Sequence, residues 1–408
     1  MNDIAESYVK LVLAVGQHDR DYVDAFYGQP SWLEEAKSAR QPLDWIERTA
    51  SSLLSRLNDS RISEAEEIVQ LRHQYLTRQL QSLIARVEML GGRTYAFDEE
   101  AKALYDVIPP SYSEDHFRNL LKDLGALLPG VSTVSQRYDA FKKDFIIPSE
   151  KLAVVFRAAI EEARNRTIKH VELPPDEHFT VEHVSGKSWS GYNWYKGNNH
   201  SLIQLNTDLP IYIDRAVDLA AHEGYPGHHV YNTLLESNLM RKRGWVEFSV
   251  YALFSPQSLI AEGSANYGID VAFPGEDRVA FERTALFPLA GLDSSRAEVY
   301  YRIMELSAKL NYAGNEAARN YLNGTMTRND AVHWLETYAL MSPGRAAQRV
   351  RFIEQYRSYV INYNLGQDMV RRHVEAHGGT ADQPARRWDV FKELISSPRL
   401  PSGLTQER

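Results

Sequence analysis

His222-Glu223-Gly224-Tyr225-Pro226-Gly227-His228-His229 decides how the rest of this chain is read. Three of its 13 histidines fall within this one stretch, and a glutamate directly follows the first. Imidazole nitrogen is a good zinc ligand, and a carboxylate beside a ligand reaches a metal-bound water. The chain has no cysteine, so disulfides, thiolate nucleophiles and Cys-type metal sites are excluded. Any metal must rest on histidine and carboxylate.

The stretch reads as His-Glu-x-x-His with two extra residues before the second histidine. Without them, the histidines would stack on one helical face about 6 Å apart at Cβ. Here the fourth position after His222 is Pro226, whose ring clashes with the His222 carbonyl and which donates no hydrogen bond. On an unbroken helix His228 would point about 240° away from His222, and His229 would lie about 10 Å further along the axis. A distortion between Gly224 and His228 is therefore expected, with Gly224 and Gly227 supplying the backbone freedom. The Gly227-His228 ending favours His228 over His229 as the second ligand, leaving His229 to orient a ligand or meet substrate. Adjacent histidines after a Pro-Gly turn also suit a plain helix cap.

A third ligand candidate, Glu262, lies on a helix of its own. Ser255 is the expected N-cap, Pro256 occupies the first turn, and Phe273-Pro274-Gly275 ends the pattern. Its neighbours Leu259-Ile260-Ala261 and Gly263-Ser264-Ala265 are apolar or small, unlike those of a solvated face residue. Asn266, one turn on, and Asp218, one turn before His222, are candidates to hydrogen-bond a ligand histidine. Upstream, Asp208 is the expected N-cap of a helix over 211–222, with Pro210 in its first turn.

The remainder is mainly helical. Ser63 and Glu66 form a capping-box signal, followed by Ile68, Leu76, Leu80, Leu83 and Val87 at helical spacing and by Gly91-Gly92 as a stop. Similar patterns cover 117–128, 151–168, 276–312, 332–340 and 345–360. Phe179 to Glu182 is a strand candidate. Tyr192 to Tyr195 and Ser201 to Asn206 alternate as strands around the turn formers Lys196-Gly197-Asn198-Asn199, which predicts an antiparallel hairpin. Leading into the histidine helix, such an edge can hold an extended peptide, with Asn193 and Tyr195 as substrate-contact candidates.

At 408 residues the chain can bury a large core, as one catalytic domain or as a helical scaffold over 1–170 and a zinc-binding part over 171–408. The net charge of −8 argues against nucleic acid or an anionic membrane as partner, and no apolar run is long enough to span a bilayer. Met1-Asn2-Asp3-Ile4-Ala5-Glu6 lacks the basic-then-apolar pattern of a signal peptide, so a cytoplasmic location is expected. Oligomeric state is not readable.

His-Glu-x-x-Pro-Gly-His-His followed by Glu262-Gly263-Ser264-Ala265-Asn266-Tyr267 resembles the bacterial "domain of unknown function 885" family, whose fold is similar to carboxypeptidase Taq-type enzymes. Ser264 and Asn266 replace bulkier residues of that pattern. Pro343-Gly344 and Tyr363-Asn364-Leu365-Gly366 resemble a third family feature at a longer interval. The resemblance covers roughly residues 180–370. It implies a zincin-like fold of long helices around a cleft, with the small sheet beside the active site. Zinc would be held by His222, His228 and Glu262, and Glu223 would serve as the general base. Tyr363 is the first candidate for oxyanion donor, with Tyr356, Tyr359 and His229 behind it. Arg345 and Arg349 are candidates for a peptide C-terminal carboxylate. The expected activity is that of a zinc peptidase, perhaps carboxypeptidase-like in specificity. A zinc hydrolase of a small non-peptide amide and a non-enzymatic helical metal-binding protein are the alternatives.

Overall fold

The computed structural model describes residues 1–60 and 65–404. The fold is mainly α-helical with small sheets, as expected. The pattern before Gly91-Gly92 forms a helix over Glu67–Leu90, burying Leu76, Leu80, Leu83 and Val87. Ser63 of the expected capping box lies outside the described residues. Helices over Glu114–Leu127, Leu152–Thr167, Arg328–Tyr338 and Pro343–Tyr356 follow the predicted patterns to within a turn or so at most ends. Arg357, at φ 53°, interrupts the last of these before the next helix, Ile361–Ala376. Among the described residues no helix is long and apolar enough to cross a membrane.

Two helical expectations are corrected. The pattern over 276–312 is not one helix but Gly275–Phe281, a wide turn over Glu282–Leu286, Phe287–Ala290 and Ala297–Ala308. Gly291 takes the left-handed region at φ 74°, and the Asp293 carboxylate accepts from the Ser295 N–H at 3.0 Å, restarting the chain in a new direction. The helix expected over 211–222 begins only at Asp214. Main-chain bonds from Ile147 N–H to Ile211 and from Ile213 N–H to Phe145, each 2.9 Å, hold that segment extended. Asp208 instead accepts from the Gly186 N–H at 2.7 Å, pinning a neighbouring loop.

The hairpin forms from β3 (Gly191–Gly197) and β4 (His200–Asn206), antiparallel, with Tyr192 opposite Gln204 and Trp194 opposite Leu202. Asn198 and Asn199 both take positive φ, 53° and 58°, as a tight two-residue turn requires. The Phe179 strand is β2 (His178–Val184), which pairs with β4 in parallel, so β3 is an edge. A separate pair joins β1 (Val23–Phe26) to β5 (Val250–Ala252).

The largest apolar cluster draws residues from Ile4 to Leu404. The Pro256–Ala272 helix runs through it buried on nearly every face, so most of its positions are apolar or small rather than striped, and its few polar side chains are built into the interior. It crosses the Ile361–Ala376 helix where Gly263 meets Gly366. A Cβ on Gly263 would lie 2.4 Å from the Gly366 carbonyl carbon, and one on Gly366 would lie 2.7 Å from the Leu259 oxygen. Only two glycines permit that approach. Gly366→Ala is expected to destabilise the protein by about 1–3 kcal/mol, as overpacking of a filled interior does. Chemical denaturation measures this, and a loss below about 0.5 kcal/mol would mean that the helices have room to separate.

Candidate metal centre

The break in the histidine segment falls where the proline and glycines predict it. After Asp214–Leu219 the helix widens over Ala220–Gly224, turns through Tyr225-Pro226-Gly227 with a cis Tyr225–Pro226 peptide, and restarts as His228–Leu235. The Tyr225 N–H reaches back to Ala220 O at 3.1 Å and the Gly227 N–H to Ala221 O at 2.9 Å. A Cβ on Gly227 would sit 1.9 Å from the His222 carbonyl oxygen, so the fold-back requires glycine there.

This fold-back brings His222 and His228 together. Their Nε2 atoms lie 3.1 Å apart with the rings nearly perpendicular at 86°. Glu262 completes the group: its Oε2 is 3.2 Å from His222 Nε2 and 3.6 Å from His228 Nε2. The three donor atoms all lie within 4.8 Å of one another.

The surroundings settle which atoms are free to bind. Asn266 donates through Nδ2 to the Tyr363 carbonyl at 2.9 Å, which fixes its amide orientation. Its Oδ1 therefore accepts from His222 Nδ1 at 2.9 Å, placing the neutral tautomer's lone pair on Nε2. Asp218, the other candidate for this job, is engaged by Arg215 and Arg278 at 2.9 and 2.8 Å. The Tyr359 hydroxyl donates to Glu262 Oε1 at 2.8 Å, while buried Oε2 has no hydrogen bond of its own despite its closeness to both imidazoles. Converging lone pairs and a buried carboxylate oxygen without a proton donor fit a cation such as zinc.

Electrostatics agree. Burial would lower the His228 imidazole, but Glu262, with Glu223 and Asp24, raises it to about 9. Burial likewise opposes ionisation of Glu262, yet His222 and His228 hold its carboxyl well below the usual range. A metal ion would take the place of the proton that His228 otherwise carries. Glu223 lines the same cleft of about 1720 Å³. Burial pushes its carboxyl above the ordinary value, partly offset by His222 and His228. Its backbone oxygen accepts from Asn193 Nδ2 at 2.7 Å, and Gly191 leaves space for its carboxylate, since a Cβ there would lie 2.8 Å from Oε1.

The other sequence candidates divide. Tyr363, Tyr356, Arg345, Arg349 and Asn193 line the cleft, but His229 and Tyr195 do not. His229 is fully buried between Ser201 Oγ and Glu177 Oε2, each 2.9 Å away, with no path to a substrate. One residue further along the new helix, it projects about 100° away from His228. Tyr195 is buried against Glu236, beyond the part of β3 that meets the cleft. Arg345 is held by the Pro210 carbonyl at 2.6 Å, whereas Arg349 stacks on Phe352 and Tyr363, at 5.2 and 5.7 Å from the ring centres, and its Nε has no partner. The bond from Tyr359 to Glu262 links residues 97 positions apart, and local sequence gives no signal for it.

No family model matches the chain, and no curated protein matches it in sequence. Among solved structures, the fold matches a provisionally assigned lipoprotein from Colwellia psychrerythraea with a TM-score of 0.52 and 14% identity, over 91% of this chain and 70% of that one. A second provisionally assigned lipoprotein, of unknown function, from Shewanella oneidensis gives 0.43 at 12% identity, over 90% and 76% of the two chains. An M32 carboxypeptidase from Deinococcus radiodurans R1 gives 0.36 at 14% identity, over 96% and 88%.

Two variants separate the adjacent histidines. His228→Ala is expected to abolish stoichiometric zinc, measured by metal analysis. His229→Ala should retain zinc and instead lose about 1–3 kcal/mol of stability, because its buried partners are left unsatisfied. Asn266→Ala should weaken zinc binding by about 10–100-fold in chelator competition, the usual effect of losing a group that orients a ligand.

Proposed function

We propose that this chain is a zinc-dependent hydrolase of peptides, acting next to a free C-terminus. The observation that carries this reading is the convergence of His222 Nε2, His228 Nε2 and a Glu262 Oε2 that accepts no hydrogen bond, beside a buried Glu223. The motif resemblance to the "domain of unknown function 885" family points the same way. Two imidazoles and one carboxylate are a donor set suited to zinc, whereas calcium and magnesium favour oxygen alone. Bound zinc supplies Lewis acidity towards a carbonyl and makes a water acidic at neutral pH.

The chain's own groups do the rest. Glu223 accepts the proton of the attacking water and returns it to the leaving amine, and its raised pKa suits both transfers. Tyr363, on the cleft wall 6.5 Å ring to ring from His222, offers a hydroxyl to the developing oxyanion. Tyr359 is engaged by Glu262 and so holds a ligand instead of meeting substrate. Arg349 has no carboxylate among the described ion pairs and presents its guanidinium to the cleft. A peptide C-terminal carboxylate would complete it with paired hydrogen bonds. The unpaired edge of β3, where Gly191 to Asn193 line the cleft, can receive extended main chain.

Glu223→Gln is expected to keep zinc and to lose about 10²–10⁴ in kcat, the usual contribution of general-base catalysis. A loss below about tenfold would exclude that role. Arg349→Met should remove the preference for free over amidated C-termini, worth about 10–100-fold in kcat/KM for one charged hydrogen-bonded pair. Equal cleavage of both peptide forms by the unaltered protein would overturn the free-C-terminus specificity, and cleavage of neither would point to the small-amide alternative.

A further inference from the structure

On the wall of the same cleft stands a carboxylate with no part in the chemistry above. Asp24 is the bulged residue of β1: Val23 pairs with Ala252 and Ala25 with Tyr251, leaving Asp24 as the extra residue between them. A bulge of this kind re-aims one side chain out of the regular alternation. Here it sends the carboxylate into the cleft, where Tyr192 and Tyr251 also lie. The single hydrogen bond to Asp24 comes from the Tyr192 hydroxyl, and no Lys or Arg pairs with it among the described residues. Its charge is felt by the hydroxyls of Tyr192, Tyr251 and Tyr356 and by His228. The site is therefore anionic, walled by aromatic rings and adjacent to the candidate metal donors.

We propose that Asp24 and the tyrosines around it form a subsite for a substrate ammonium or guanidinium group near the scissile bond. The proposal rests on the peptidase reading and adds a substrate class to it. A half-buried carboxylate that no lysine or arginine pairs is costly to keep, and a cation from the ligand supplies what the protein withholds. Aromatic faces stabilise the same cation through their quadrupoles. Burial pushes the Asp24 carboxyl up to about 6 even though Tyr192 hydrogen-bonds its charged form, which is the behaviour of an uncompensated acid. At neutral pH it is still mostly ionised, so the attraction is available. Tyr192 is itself packed between Trp189 and Trp194, with ring centres 5.3 and 4.5 Å away, which holds the hydroxyl that orients Asp24.

The cation can be a lysine or arginine side chain or the free α-amino group of a short peptide, and one experiment distinguishes them. Alanine tetrapeptides carrying one lysine, or its uncharged analogue norleucine, at each position are supplied with free and acetylated N-termini. Hydrolysis is measured as kcat/KM, and binding is measured by calorimetry on the Glu223→Gln chain. A preference of roughly tenfold or more for one cationic form is expected. Lysine at one position identifies a side-chain subsite, and sensitivity to acetylation identifies the α-amine. Asp24→Asn should erase that preference while leaving zinc content and the rate on norleucine, acetylated peptides within about twofold. Tyr192→Phe, which keeps the charge, should retain most of it. If the unaltered chain cleaves neutral and cationic peptides alike, or if the preference survives in Asp24→Asn, the subsite is refuted and the peptidase reading stands. If no peptide is bound or cleaved, both readings fall. Should Asp24→Asn fail to fold, Asp24→Glu and the unaltered chain's own preference still decide.

Discussion

The contact on which the site depends is between two backbones. Gly263 and Gly366 let the Pro256–Ala272 and Ile361–Ala376 helices approach closer than any Cβ would allow. Glu262 sits beside that crossing on one helix, and Tyr363 lies one turn before it on the other. The approach sets their separation and lets Tyr359, just before the second helix, reach the Glu262 carboxylate. The same approach lets Asn266 span from the Tyr363 carbonyl to the His222 ring. A carboxylate, a tautomer and a candidate oxyanion donor are thus positioned through one crossing. Moving these helices apart by the width of a methyl group would disturb all three together.

The histidine turn is fitted against the same helix. Pro226 packs at Gly268, where a Cβ would lie 3.0 Å from the proline ring, and Gly227 folds back under the His222 carbonyl. Proline ends the regular helix because it lacks an N–H and collides with the preceding turn. The glycines then accept a path that other residues could not take. The result is two imidazole nitrogens 3.1 Å apart although they are six residues apart in sequence. Inserting residues into the common spacing has been absorbed by the local backbone, and the donor geometry is kept.

Charge in the cleft is distributed unevenly. Glu262 is balanced by two imidazoles, and Asp218 by two arginines. Glu223, Asp24 and Arg349 lack such partners among the described ion pairs. Burying ionisable groups without countercharges costs stability, so a fold tends to retain them where a ligand or a reaction makes use of them. Structural pairs elsewhere, such as Arg72 with Glu247, are closed on themselves and contact no cleft.

The helix break between Gly224 and His228, the strand hairpin with its Asn198-Asn199 turn, the start of the Glu262 helix at Ser255-Pro256 and the buried stripe of the Glu67–Leu90 helix were all legible in the sequence. Each is set by neighbours a few residues apart, through a missing N–H, a positive φ or a period of apolar residues. Candidate ligands were legible for the same reason, because the unusual spacing is local. Tertiary structure decided that His229 turns into the Glu177 network, that Tyr359 serves Glu262, that Asp208 holds a loop, and that a bulge in β1 carries Asp24 to the cleft. Those outcomes depend on partners up to hundreds of residues away. Periodicity records only which face of a segment is buried, not against which other segment it is buried.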